Sequence, residues 1–178
     1  MESSQESVRN GHRNHHARSK RRHRRDLHRR AAGARVLQAI SDPAQLPRWW
    51  GQDGLYHVTK STMDVRPGGK WRSDGMGADG TTFYVEGEYL EVDPPRRLVH
   101  TWFGSFHPQT TVVRWELEPQ TVNALHPSGP RKSGTGTLVR VTREGFAGNL
   151  KSAQDHGEGW KRVLAWLEAF VERAEPNA

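Results

Sequence analysis

The strongest pattern in the chain is an apolar stripe at helical spacing between Ser152 and Arg173. Charged side chains fall mainly on the opposite side, which predicts a long amphipathic helix. Burial stabilises a fold by roughly 1.5–3 kcal/mol for each large apolar side chain. The helix therefore needs a large apolar surface to pack against. The residues of the stripe are Trp160, Val163, Leu164, Leu167, Phe170 and Val171.

The segments before this helix alternate between apolar and polar positions, as β-strands do. Residues 55–144 contain about six such segments, separated mostly by short turns rich in glycine and proline. In one segment Val113, Trp115 and Leu117 share a face, and the residues between them are expected to face water. Short turns favour antiparallel neighbours, and residues 120–134 are predicted to form a polar loop.

Two short helices are predicted before the first of these strands. The first covers residues 31–42, and the second covers residues 43–50 with Asp42 as its N-cap and Pro43 at its first position. This order of elements predicts an α+β fold, with a curved antiparallel sheet around a long C-terminal helix. Such a sheet and helix leave a cavity between them unless side chains fill it.

Positive charge is concentrated at the N-terminus. Residues 1–30 hold ten Lys and Arg against three acidic residues, whereas the remainder holds seventeen of each sign. The segment has few apolar residues, which predicts a disordered basic tail. We expect a solvated tail, and the alternative is non-specific contact with nucleic-acid phosphates. Because the composition changes abruptly near Ala31, a further hypothesis is that this tail is not the native start.

The composition also limits the chemistry. The chain has no cysteine, which excludes disulfides, thiol nucleophiles and cysteine-ligated metals. No apolar run approaches the roughly 18–20 residues of a membrane span, and the N-terminus lacks the apolar region of a secretory signal. We therefore expect a cytoplasmic protein. His57, His100 and His107 lack the spacing of metal ligands, so no metal or other cofactor is predicted.

Six spaced motifs resemble the SRPBCC (START-like) superfamily, and within it the AHSA-type group, which is named after an activator of a heat-shock chaperone ATPase. The resemblance runs from about Ala34 to Val171 and implies one domain with the helix-grip fold over residues 31–174. In chain order the motifs are SDPAQLPRWWG, VRPGGKWR, GEYLEVDPPRRLVHTW, VRWELEP, GTLVRVTREGF and HGEGWKRVLAWLEAF.

The resemblance also implies a strand ahead of the first short helix. At that place the chain reads SKRRHRRDLHRR, and successive Arg and His residues make a poor strand. Either this strand is absent and the sheet has an open edge, or the run forms a charged edge strand.

Aromatic residues supply the candidate site. Aromatic walls suit a flat or lipid-like ligand, and the alternative for each residue is simple core packing. Gly157 and Gly159 each cost the helix roughly 1 kcal/mol relative to Ala, so we expect them to let the helix approach the sheet or to keep the cavity open. The candidate lining residues are Trp49, Trp50, Trp71, Tyr84, Trp102, Trp115, Phe146, Gly157, Trp160 and Leu164.

The resulting hypothesis is a non-catalytic or weakly catalytic binding domain for a small hydrophobic molecule. A chaperone ATPase co-regulator is the alternative that the group's name implies, although nothing here resembles the separate N-terminal domain of the eukaryotic namesake. An enzyme of the polyketide cyclase or aromatase type is the other alternative in this fold. No catalytic residue is predicted, since Glu86, Glu88, Glu116 and Glu118 do not form a convincing inward-facing acid–base pair.

Overall fold

The computed structural model describes residues 21–27, 33–124, 132–146 and 150–173. The strands form one antiparallel eight-stranded sheet in the order β1-β8-β7-β6-β5-β4-β3-β2. This arrangement confirms the predicted α+β helix-grip fold. The elements are β1 (Arg21–Leu27), α1 (Gly33–Ser41), a short 3-10 helix (Leu46–Arg48), β2 (Gly51–Gln52), β3 (Tyr56–Met63), β4 (Lys70–Gly77), β5 (Thr82–Asp93), β6 (Arg97–Gly104), β7 (His107–Ala124), β8 (Lys132–Glu144) and α2 (Leu150–Arg173).

The first strand is present, at one edge of the sheet. Residues 21–27 pair antiparallel with β8, so that Arg21 lies opposite Arg143 and Leu27 opposite Thr137. The prediction of disorder is therefore wrong for these residues, and the charged edge strand is the alternative that the structure shows. Charged residues are tolerated at an edge because one side of the strand has no neighbour to pair with. Residues 1–20 and 28–30 of the predicted tail lie outside the described residues.

Two other local predictions need correction. The predicted polar loop at 120–134 contains strand, because β7 runs to Ala124 and pairs with β8 as far as Lys132. The segment lacks the apolar alternation that predicts a strand, and the backbone pairing does not depend on it. Residues 125–131 of the predicted loop lie outside the described residues. The second short helix is reduced to Leu46–Arg48. Asp42 still caps the turn before it, since its Oδ1 accepts a hydrogen bond of 2.8 Å from the Ala44 backbone N–H.

The concave face of the sheet and the apolar stripe of α2 form one core. Alternation places Val113, Trp115 and Leu117 inward, and each is at most 3% exposed. On α2 the predicted stripe is buried from Trp160 to Val171, except for Phe170, which is half-buried. The helix therefore packs on the sheet as its periodicity predicts.

Irregular pairing accompanies the curvature of the sheet. The register shifts between Val58 and Lys60 in β3 and between Tyr89 and Glu91 in β5. An extra residue on one strand bends that strand and increases its twist. These bulges allow the sheet to curl around α2 instead of lying flat against it.

Leu167 provides a direct test of this packing, because it is completely buried in the core. We expect Leu167→Ala to lower the free energy of unfolding by about 2–5 kcal/mol, through lost burial and the cavity left behind. Denaturant titration followed by tryptophan fluorescence measures this change. The control is Glu172→Ala on the exposed side of the same helix, for which we expect a change within about 0.5 kcal/mol. Equal effects of the two substitutions would contradict the proposed packing.

Candidate functional site

A cavity of about 540 Å³ opens between residues 159–163 of α2 and one end of the sheet. Leu55, Thr81 and Phe106, in the turns after β2, β4 and β6, line the cavity opposite the helix. Most of the lining side chains are aromatic or aliphatic. The lining residues are Trp50, Leu55, Tyr56, Val58, Gly77, Thr81, Phe83, Val85, Trp102, Phe106, Arg143, Gly159, Trp160 and Val163.

Three indole rings from three different elements form one wall of this cavity. Trp50 follows the 3-10 helix, Trp102 lies on β6 and Trp160 lies on α2. The centroid of the Trp50 ring is 5.6 Å from that of Trp102 and 5.8 Å from that of Trp160, and the last two rings are 5.9 Å apart. Each ring supports the other two, so this wall is preorganised for a flat apolar surface.

Below this wall the core is closely filled. Trp115 contacts Trp160 edge-on at 5.3 Å, and its indole N–H donates a hydrogen bond of 3.3 Å to Nε2 of His100. Nδ1 of His100 lies 3.0 Å from the carbonyl oxygen of Thr101. Because an indole only donates, Nε2 accepts and Nδ1 carries the proton, which defines a neutral imidazole. Burial lowers the pKa of His100 from 6.5 to about 4.

Arg143 is the important residue that the sequence analysis did not identify. It is 5% exposed, and it follows Val139 and Val141 on the inward face of β8. Its Nε donates a hydrogen bond of 2.8 Å to Oγ1 of Thr111. The strand alternation contained the signal, because the inward pattern of Val139 and Val141 continues to this arginine.

Two aromatic rings lie close to the guanidinium of Arg143. The guanidinium carbon lies 5.3 Å from the ring centroid of Trp102 and 5.4 Å from that of Phe146. Such contacts stabilise a cation by roughly 0.5–2 kcal/mol. Burial nevertheless lowers the pKa of Arg143 to about 10, because the charged form has lost water.

The predicted lining residues are therefore divided between the cavity and its surroundings. Trp50, Trp102 and Trp160 line it. Trp71 and Trp115 lie in the filled core below. Most of the remaining candidates are buried in the core or lie beside the cavity, and Tyr84 is on the outer side, where Arg72 lies 3.9 Å above its ring. The predicted residues that do not line the cavity are Trp49, Trp71, Tyr84, Trp115, Phe146, Gly157 and Leu164.

The mouth of the cavity has an apolar rim. Leu55 is 40% exposed and Phe106 is 60% exposed, although both are large apolar residues. The ring of Phe83 contacts that of Phe106 at 5.9 Å and lies over Gly75. Tyr56 packs edge-on to Phe83, and burial raises the pKa of its hydroxyl. The rim therefore offers apolar contacts to a molecule that enters.

Gly159 keeps one side of the mouth open. A Cβ atom added at this position would meet no atom within 4 Å. The glycine is therefore not required for close packing, in contrast to Gly75, where a Cβ atom would lie 2.3 Å from the Phe83 ring. A large side chain at position 159 would extend into the opening.

The candidate acids lie outside the cavity. Glu86 pairs with Arg72 at 3.0 Å, and Glu118 pairs with Arg140 at 2.8 Å. Glu88 pairs with Lys70, and Glu116 lies 3.7 Å from Arg140. These ion pairs lie on the convex side of the sheet. Within the described residues there is no cluster of three or more His, Asp or Glu that is placed to hold a metal ion.

Comparison with known proteins gives one family match. The sequence profile of the family described as "Activator of Hsp90 ATPase homolog 1-like protein" matches residues 30–125. No curated protein sequence matches the chain significantly. Over the parts of the chain that the structure describes, no helix is long and apolar enough to cross a membrane.

Several solved structures share the fold at low sequence identity. A protein from Rhodobacter sphaeroides is 21% identical with a TM-score of 0.70, over 88% of this chain and 93% of that one. The AHSA1-like protein from Aeromonas hydrophila is 22% identical with a TM-score of 0.64, over 89% and 97%. DynU16, described as a putative protein in the dynemicin biosynthetic locus, is 18% identical with a TM-score of 0.63, over 88% of this chain and 48% of that one.

Gly159 and Gly75 give opposite predictions for the same substitution. Gly159→Ala should raise the free energy of unfolding by about 1 kcal/mol, because alanine favours the helix and its methyl group meets open space. Gly75→Ala should lower it by about 1–3 kcal/mol, because the methyl group collides with the Phe83 ring. Chemical denaturation measures both. A destabilising Gly159→Ala would contradict the open space at this position.

Because His100 is buried as a neutral imidazole, we expect the folded protein to lose stability in acid. Its folded-state pKa of about 4 lies below the ordinary value of 6.5, so the unfolded chain binds the proton first. The contribution of the neutral imidazole is complete above about pH 6.5 and is lost as the pH falls toward 4, by on the order of 3 kcal/mol. Denaturation of the wild type and of His100→Gln across this range isolates the effect. Parallel pH profiles would show that His100 is not buried in its neutral form.

Proposed function

Because the chain belongs to the Activator of Hsp90 ATPase homolog 1-like family, whose profile matches residues 30–125, we propose that it binds a small hydrophobic molecule in the cavity between α2 and the sheet. The cavity of about 540 Å³ carries this proposal, since it lies in the range of roughly 300–1,000 Å³ that is usual for ligand sites. The stacked indoles of Trp50 and Trp102, with Trp160 edge-on to both, supply the wall, and the exposed rim supplies the entrance.

Binding is favoured over catalysis by the chemistry of the lining. Among the described residues that line the cavity, none carries a carboxylate or an imidazole. Carboxylates and imidazoles are the commonest acid–base catalysts. The hydroxyl of Tyr56 also lines the cavity, but burial raises its pKa and makes it a poorer base at neutral pH. An enzyme of the cyclase or aromatase type is the alternative within the same fold.

Two further expectations stay predictions. The family description names a chaperone ATPase activator, and contact with such a chaperone can be tested by affinity capture of the full chain. The cytoplasmic location also stays a prediction, which fractionation of cells would examine.

The binding proposal can be tested with N-phenyl-1-naphthylamine, an uncharged fluorescent probe that brightens in apolar sites. We expect the wild type to bind this probe and its tryptophan emission to be quenched, because three indoles line the cavity. Gly159→Phe should weaken binding at least about tenfold, because the new ring occupies the mouth.

The control for this experiment is Glu172→Phe, which adds the same ring to the exposed far end of α2. It should leave probe binding unchanged, and circular dichroism should show that both variants fold. Absence of binding to the wild type would refute the proposal. Equal binding by wild type and Gly159→Phe would place the probe elsewhere and would refute it as well.

A further inference from the structure

We propose that the molecule bound in this cavity carries one acidic group, and that Arg143 binds that group. The inference rests on the proposed binding function and adds to it the chemical class of the ligand: an aromatic or aliphatic body with a single carboxylate or a similar anion. Arg143 would then be the residue that orients the ligand and distinguishes it from neutral apolar molecules.

Arg143 carries a buried charge that no acidic side chain of the described residues compensates. Arg143 is 5% exposed, and no carboxylate of the described residues lies within ion-pair distance of its guanidinium. A buried charge without a partner is costly, and proteins normally pair it or use it. Thr111 and two aromatic rings reduce this cost but supply no negative charge.

Other arginines of the sheet differ from Arg143 because they have carboxylate partners. Arg140 lies three residues earlier on β8, on the opposite face, and its guanidinium is 2.8 Å from Glu118. Arg72 and Arg97 likewise pair with Glu86 and Glu91 across neighbouring strands. The chain therefore supplies carboxylates to arginines that water already solvates, and supplies none within the described residues to the arginine inside the cavity.

The guanidinium nitrogens of Arg143 divide into one that is bonded to Thr111 and two that are available to a ligand. Nε of Arg143 is held by Thr111, which fixes the plane of the guanidinium. No buried side-chain nitrogen or oxygen of the described residues lacks a hydrogen-bond partner. Among the described residues only Thr111 bonds this guanidinium, through Nε, so its two Nη groups are available to a ligand in the cavity that Arg143 lines. A guanidinium with two parallel N–H donors matches the two oxygens of a carboxylate.

The lining also limits the number of charges on the ligand. Arg143 is the only charged side chain among the described residues that line the cavity. Tyr56 and Thr81 add hydroxyl groups, and the rest of the wall is largely aromatic or aliphatic. A molecule with several anionic groups would leave at least one of them against apolar surface, so the geometry favours a monoanion.

The test compares two probes that share one fluorophore. 8-Anilino-1-naphthalenesulfonate carries one anionic group, and N-phenyl-1-naphthylamine is the same ring system without it. In Arg143→Met we expect the affinity for the sulfonate to fall about tenfold to a hundredfold, which is the usual contribution of a charge-assisted hydrogen bond. The affinity for the neutral probe should change by less than about twofold.

Two further variants control for charge and geometry. Arg140→Met removes the same charge from the outer face of β8 and should leave both affinities unchanged. Arg143→Lys keeps the charge and should restore part of the preference for the sulfonate. If Arg143→Met does not fold, the guanidinium ¹⁵N resonance of Arg143 in the wild type should shift with the sulfonate and not with the neutral probe.

The outcomes separate this inference from the proposed function. Loss of sulfonate binding alone in Arg143→Met supports it. Equal effects on both probes, or no effect on either, would overturn it while leaving the binding function in place. If neither probe binds the wild type, the binding function and the acidic ligand fall together.

Discussion

Trp160 of α2 contacts Trp115 of β7 edge-on at 5.3 Å, and this contact separates the filled core from the open cavity. The rest of the structure depends on this division. On one side of it, Leu164, Leu167 and Val171 fill the space between helix and sheet and are nearly inaccessible to solvent. On the other side, Gly159 presents no side chain and the space stays open. The same helix therefore closes the core at one end and leaves a cavity at the other.

The chemistry of the cavity follows from that division. Its walls are stabilised by the same aromatic packing that holds the core, so they stay in place without a ligand. Arg143 is different, because burying its charge costs free energy. The described residues offset this cost only with the hydroxyl of Thr111 and the faces of two aromatic rings. Folds retain strained or costly groups mainly at functional sites, and this arginine is such a group.

The sequence could predict the fold because its patterns are long and regular. The stripe from Trp160 to Val171 and the alternation around Trp115 both depend on the period of the backbone alone. Strand β1 was predicted poorly because its pairing uses backbone groups at an edge, where the propensities of Arg and His decide little. The pairing of residues 120–124 with 132–136 was missed because these residues lack the apolar alternation from which the other strands were predicted.

The site could be predicted only in part. A tryptophan in the core and one in a cavity wall have the same pattern in the sequence, so Trp71 and Trp102 could not be distinguished. Which of them faces open space depends on the curvature of the sheet and on the distance between α2 and the sheet. Arg143 was detectable in principle, as a charge at an inward position. Only the structure could show that no carboxylate of the described residues pairs with it.

The most direct test of this account is a crystal structure of the protein soaked with 8-anilino-1-naphthalenesulfonate. The account predicts that the rings lie against Trp50, Trp102 and Trp160, with a sulfonate oxygen about 3 Å from an Nη atom of Arg143. A probe bound at another surface would contradict it. A cavity filled by rearranged side chains, with Arg143 paired to a carboxylate of its own chain, would contradict it equally.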